Sequence, residues 1–210
     1  MHLTKEDIEQ TNKIKRLNII NSVSGIKPGN LIGTQSNDGD TNLAIFSSVV
    51  HLGSNPAYLG FFVRPDKEVR RHTYENVKEN ACFTINHIHS HFYENAHYTS
   101  AKFAKDVSEF EVCGLREEYL FDFKAPFVKE SKLKMAMKLV EIVPIESTQT
   151  VLLVGEIQHL IIPDNVMDAQ GYIDLSGIND VGISGLNSYY KLNKIKDLPY
   201  ARVKDVPDFD

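Results

Sequence analysis

The side chains best suited to chemistry gather in two short stretches. One is Arg64-Pro65-Asp66-Lys67-Glu68-Val69-Arg70-Arg71-His72-Thr73-Tyr74-Glu75-Asn76, where basic residues run directly into a helix start. Thr73 is the expected N-cap, since a threonine hydroxyl can accept a hydrogen bond from the unpaired N–H groups of a first turn. A helix N-terminus already offers an anion those donors and a positive dipole. A guanidinium beside it can give two parallel hydrogen bonds to phosphate oxygens. The same pattern also fits a solvated face on which Arg64, Arg70 and Arg71 pair with Asp66, Glu68 or Glu75. Charge-assisted hydrogen bonds contribute about 1.5–3 kcal/mol each and the helix end about 0.3–1 kcal/mol, whereas micromolar binding needs about 8 kcal/mol. A phosphate clamp therefore requires a second contact surface.

Asn42 to Ser48 can supply that surface. Small or hydroxylated residues at Ala44, Ser47 and Ser48 let the backbone approach a flat ligand. Ile45 and Phe46 can flank a ring, and Asn42 offers both donor and acceptor. Read on spacing alone, the stretch is equally a strand with alternating burial. A competing chemistry lies in His87, His89 and His91, whose spacing of two puts them on one face of an extended strand, with His97 nearby. Imidazole is a common zinc or copper ligand. Alternate strand residues lie about 6–7 Å apart, however, so three in a row converge on one ion only with a bend; otherwise these are exposed or hydrogen-bonded histidines. Cys82 and Cys113 have no histidine in a recognised arrangement and read as buried structural thiols. No catalytic triad emerges.

The elements that must position these residues are mostly strands. Thr4 with Asp7 is a capping signal, and Ile8, Ile14 and Leu17 among charges predict an amphipathic helix over about residues 5–20. After the breaker Gly25-Ile26-Lys27-Pro28-Gly29, Leu31 to Thr34 forms a strand that turns at Asp38-Gly39. Leu43 to Val50 and Tyr58 to Val63 are also strand-like. A helix over Thr73–Asn80 leads into a strand over Ala81–Asn86, and a second helical stretch covers about Phe92 to Phe103. Lys132 to Val143 alternates with a period of two, placing Lys132, Lys134, Ala136 and Lys138 on a wet face. Thr150 to Ile162 makes a further long strand. Many strands and few short helices imply a mainly β fold, an antiparallel barrel with peripheral helices across its openings.

The 210 residues are read as one domain, residues 1–210, with the N-terminal helix and an extension over about residues 191–210 as additions. A net charge of −5 gives no general attraction to nucleic acid or an acidic membrane, so any bound anion must be gripped locally. No apolar run approaches the roughly 20 residues that span a bilayer. The start Met1-His2-Leu3-Thr4-Lys5-Glu6 lacks a secretory signal, and free thiols fit a cytoplasmic location.

The ordered series Asp38-Gly39, Asn42-Leu43-Ala44-Ile45-Phe46-Ser47, Asn55-Pro56, Gly60-Phe61, the basic run to Thr73 and Asn76, Phe83-Thr84-Ile85-Asn86, Thr99-Ser100, Ser108-Glu109-Phe110-Glu111, Glu130-Ser131 and Gly155-Glu156 resembles the flavin reductase-like family of FMN-binding split barrels. The similarity runs from about Leu31 to Tyr190 and leaves out the N-terminal helix. The resemblance implies an FMN-binding split β-barrel whose flavin ring rests along Asn42 to Ser48, largely on backbone groups. It places the phosphate at Ser47, Ser48, Arg71 and Thr73, with Arg64, His72, Asn86, Ser100 and Lys102 as further cofactor-binding candidates. Ile45 departs from the proline or small polar residue often found there, and His72 from a common aspartate. The resemblance also implies a homodimer and hydride transfer from NADH or NADPH to FMN, chemistry in which the cofactor reacts and the protein binds and orients. A non-enzymatic FMN-binding electron carrier would use the same site.

Overall fold

The computed structural model describes residues 1–64 and 71–209. In chain order its helices are α1 (Lys5–Gln10), α2 (Lys13–Val23), α3 (His72–Asn80), α4 (Tyr93–Tyr98) and α5 (Glu109–Val112). Its strands are β1 (Lys27–Pro28), β2 (Asn30–Gln35), β3 (Thr41–Phe46), β4 (Val50–Ser54), β5 (Ala57–Val63), β6 (Cys82–His87), β7 (Glu117–Glu118), β8 (Phe127–Val128), β9 (Lys134–Ile145), β10 (Thr150–Ile161), β11 (Val181–Ser184) and β12 (Ser188–Lys191).

Seven strands form one antiparallel sheet in the order β3-β2-β6-β9-β10-β5-β4. The sheet curls until its ends approach. Phe46 on β3 meets Phe61 on β5 edge-on with ring centroids 4.9 Å apart, and Phe61 meets Phe83 on β6 at 5.2 Å. Ile32, Phe61, Phe83, Ile85, Met137 and Leu153 fill the interior. The alternate residues Leu31 and Leu43 face the other way and pack with Phe92, Ala96 and Phe110 of the α4 and α5 region. β2 is therefore buried on both faces. Gly33, on its outer face, has no Cβ because Pro126 crosses there; a Cβ would lie 2.2 Å from the Pro126 carbonyl oxygen and 2.6 Å from Thr84 Oγ1.

Several local expectations change. The N-terminal helix is two helices, broken where Asn12 caps α2 by accepting from the Ile14 N–H at 3.0 Å. The predicted Thr4–Asp7 capping box is present. α1 and α2 bury none of their residues, and Ile14 is 71% exposed, so their apolar positions do not join this chain's core. The run Leu43 to Val50 is two strands: Ser48 Oγ accepts from the Phe62 N–H at 3.1 Å and donates to the Phe62 carbonyl at 3.3 Å, drawing the chain across to β5. α4 stops at Tyr98, where the Thr99 hydroxyl bonds the Ala96 carbonyl at 2.8 Å. The expected wet face of β9 is wet only in part: Lys132 and Lys138 are exposed, but Ala136 is fully buried, and the buried Lys134 reaches Glu118 Oε2 of β7 at 2.5 Å and the Val128 carbonyl of β8 at 3.2 Å. Cys113 is buried, but Cys82 is only half-buried; both thiols are free, and burial raises the pKa of each. No helix among the described residues is long and apolar enough to cross a membrane.

The crossing at Gly33 tests the packing of this sheet. Gly33→Ala should lose about 1–3 kcal/mol of stability, read as a lower urea midpoint with an unchanged slope, because the obstacle is backbone rather than a movable side chain.

Candidate functional site

Curling the sheet leaves β3 as an edge beside the C-terminal end of β5. A cavity of about 1100 Å³ lies along this split. Its walls include Asn42, Ala44, Ile45, Phe46, Ser47 and Ser48 from β3 and the turn after it, and Arg64 at the end of β5. Arg71, His72 and Thr73 line it from the start of α3, and Ser100 and Lys102 from the chain after α4. Residues 60 apart in sequence thus share one space.

The backbone edge is organised by a carboxylate. Glu109 Oε2 accepts from the Leu43 N–H at 2.9 Å, so this N–H faces away from β2. Strand alternation then turns the Ile45 N–H to the same open side. Glu109 is itself buried and lines the cavity. Burial raises its pKa, and the Leu43 hydrogen bond only partly offsets this.

The polar end is fixed by a buried network. Asn42 Nδ2 donates to Thr73 Oγ1 at 3.0 Å and approaches Thr34 Oγ1 at 3.4 Å, while Asn76 Nδ2 donates to Thr34 Oγ1 at 3.1 Å. These contacts pin the first turn of α3 onto β2 and β3. The N-cap of α3 is Arg71, not the expected Thr73, and makes no side-chain capping bond. Thr73 sits inside the first turn, its oxygen accepting from Asn42, which leaves its own O–H to donate. Arg70 and the rest of residues 65–70 lie outside the described residues.

Two predicted residues have other engagements. Asn86 does not line the cavity: fully buried in β6, it donates to the Leu31 carbonyl and to Thr84 Oγ1 and accepts from the Val128 N–H at 2.9 Å. Ser48 does line it, but its hydroxyl clamps Phe62. Sequence reasoning missed His97, Glu109, Ile20, Asn21, Ser24 and the β11–β12 turn residues Leu186 and Asn187, all of which line the cavity. Burial pushes the Tyr189 hydroxyl up to about 12, so it stays protonated, and it shares a 3.1 Å hydrogen bond with His97 Nδ1. For Ile20, Asn21 and Ser24 no signal existed, because α2 lies outside the stretch carrying the resemblance.

The histidine trio does not converge. β6 ends at His87, so the strand spacing does not extend to His91. His87 Nδ1 is 2.5 Å from Asp180 Oδ2, and His89 Nδ1 lies 2.7 Å from Oδ1 of the same carboxylate, out of hydrogen-bond alignment. His89 Nε2 accepts from the Lys132 N–H at 2.7 Å. Burial opposes ionisation of Asp180, but the two imidazoles outweigh it and hold its carboxyl below the usual carboxylate range. Among the described residues no group of three or more His, Cys, Asp or Glu is placed to hold a metal ion.

Residues 26–176 match the flavin reductase like domain family. The chain belongs to that family. It is 49% identical to a candidate flavin reductase with a split barrel domain from Shewanella frigidimarina NCIMB 400, with 96% of this chain and 100% of that one covered and a TM-score of 0.92. Component B of nitrilotriacetate monooxygenase from Bacillus cereus shares the fold at 18% identity, covering 94% and 98% of the two chains with a TM-score of 0.82. An FMN-binding protein from Thermus thermophilus does so at 12% identity, covering 83% and 91% with a TM-score of 0.70. The fold is the split barrel of FMN-binding proteins, mainly β as its composition of elements implied.

The buried Glu109 makes a pH prediction. Its folded-state pKa is raised, so the native state holds the proton more tightly than the unfolded chain. Stability relative to Glu109→Gln, whose amide oxygen can still accept from Leu43, should be greatest below the ordinary glutamate value of 4.5 and fall as pH rises through the raised value. Urea unfolding of both proteins from acidic to neutral pH reads this difference; parallel pH profiles would contradict it.

Proposed function

We propose that the cavity holds FMN and that the protein is an NAD(P)H-dependent flavin oxidoreductase. The observation carrying this reading is the meeting of an open strand edge with a cationic, hydroxyl-bearing helix start inside one cavity of about 1100 Å³. That volume exceeds the roughly 300–1,000 Å³ usual for small-molecule sites and suits an elongated ligand. The donor set fits a flavin mononucleotide at both ends. The Ile45 N–H edge, with Ile45 and Phe46 beside it, suits a flat heteroaromatic ring, and Arg71, Thr73, Ser47, Ser100 and Lys102 suit a phosphate.

When bound, FMN would accept hydride from NADH or NADPH and supply the redox chemistry. The chain's own residues then bind and orient. Glu109 keeps the β3 edge in register by occupying the Leu43 N–H. Asn42 holds Thr73 so that its hydroxyl faces an anion, and Ser48 fixes the seam by clamping Phe62. A homodimer fits the apolar residues that α2 leaves exposed at the cavity mouth, among them Ile20.

The two ends can be tested separately. Arg71→Ala and Thr73→Val should each weaken FMN binding by about tenfold or more, corresponding to one charge-assisted or buried hydrogen bond. Flavin fluorescence quenching measures this, and NADH and NADPH oxidation with added FMN measures turnover. A protein that retains no FMN, binds none on titration and oxidises neither nucleotide would overturn the proposal. Flavin binding without nucleotide oxidation would instead identify an electron carrier.

A further inference from the structure

The barrel interior ends in a second cavity of about 420 Å³, separated from the larger one by a wall to which Pro28, Val49 and Val50 contribute on both sides. Asn30 and His87 sit there. They are paired across β2 and β6, so their side chains project from the same face, the one that carries Ile32 and Ile85 into the core. Asn30 is 1% exposed, yet neither Nδ2 nor Oδ1 has a hydrogen-bond partner. A buried amide in that condition is costly, and such groups are rare in native structures. Most of the surrounding wall is apolar, with Leu59, Leu133, Met135 and Ile157; His51 also lines it, its Nε2 3.2 Å from Ser54 Oγ.

The chemistry of the two polar groups specifies what would satisfy them. His87 Nδ1 is committed to Asp180 Oδ2 at 2.5 Å, so in the neutral ring Nδ1 carries the proton and Nε2 is an acceptor. Asn30 adds a donor, Nδ2, and an acceptor, Oδ1. A hydroxyl can accept from Asn30 Nδ2 while donating to His87 Nε2; a carbonyl can satisfy only the first and a hydrocarbon neither. Among the described residues no lysine or arginine lines the cavity, and Asp180 stands behind His87, so the lining favours a neutral ligand over an anionic one. The methionine and leucines favour a ring, the sulfur of Met135 being well suited to an aromatic edge.

We propose that this barrel-end cavity is a second ligand site, distinct from the large one, for a compact neutral aromatic molecule bearing a hydroxyl group, with Asn30 and His87 as its polar anchors. The shared wall at Val49 and Val50 sets such a ligand beside the stretch assigned to the flavin ring. The site itself rests on no assumption about what fills the larger cavity.

Calorimetric titration of the full chain with phenol and with toluene, in the flavin-free and FMN-saturated forms, tests this. Phenol should bind measurably tighter than toluene, and FMN should not displace it. Asn30→Leu, which places an apolar side chain in an apolar wall, should weaken phenol by about tenfold while leaving toluene binding intact. Should that variant fold poorly, a phenol-soaked crystal of the wild-type protein decides, with phenol expected between Asn30 and His87. Equal affinity for the two probes, competition with FMN, an undiminished Asn30→Leu variant, or phenol seated only elsewhere would each overturn the proposal. Because the flavin-free protein is titrated too, failure of FMN binding leaves this result readable.

Discussion

The outer edge of β3 is the constraint around which the molecule is arranged. A seven-stranded sheet that closed fully would pair every backbone group, and here the curl stops short, so β3 has β2 on one side and, among the described residues, no strand on the other. An open edge invites pairing with another chain and must be managed. The protein manages it by placing a buried carboxylate, Glu109, against the Leu43 N–H and by leaving the next outward N–H, at Ile45, facing a cavity. The feature that would be a liability elsewhere thereby becomes one wall of a cavity. The carboxylate bears the cost: its pKa is raised by the same burial that makes its hydrogen bond effective.

A second constraint ties the two ends of the cavity together. Asn42 belongs to β3, Thr73 and Asn76 to α3, and Thr34 to β2, and their hydrogen bonds form one buried polar cluster. Such clusters specify geometry well when their members are satisfied. The helix start with its arginine cannot move relative to the strand edge without breaking it. Ser48 does a similar job at the seam, holding β3's end to β5 through both functions of its hydroxyl. Residues that read as ligand contacts in a linear motif therefore divide into those that face the cavity and those that hold its walls apart.

The match over residues 26–176 and the 49% identical Shewanella structure place the chain among split-barrel flavin reductase-like proteins. Within that frame the two cavities differ in kind: the larger joins the β3 edge to the basic, hydroxyl-bearing start of α3, while the smaller is mostly apolar, with Asn30, His51 and His87 among its lining.

Much of this was legible in the residues by themselves. β-Branched and aromatic runs predicted β2, β5, β6 and β10 close to their final bounds, and the motif series brought Asn42 to Phe46 together with Arg71 and Thr73, because local propensity and an ordered set of short motifs are properties of the chain as written. Tertiary structure decided the rest. Thr73 ceded the cap to Arg71 once its oxygen was taken by Asn42, a partner 31 positions away. Lys134 went inside because Glu118 of β7 and Val128 of β8, on segments folded back over β9, took its ammonium. Asn86 and the histidines turned to partners as remote as Leu31 and Asp180, and the place of α2 at the cavity mouth had no sequence signal. Burial and hydrogen-bond partners depend on which segments the fold brings into contact, and spacing along one strand or helix carries no record of that.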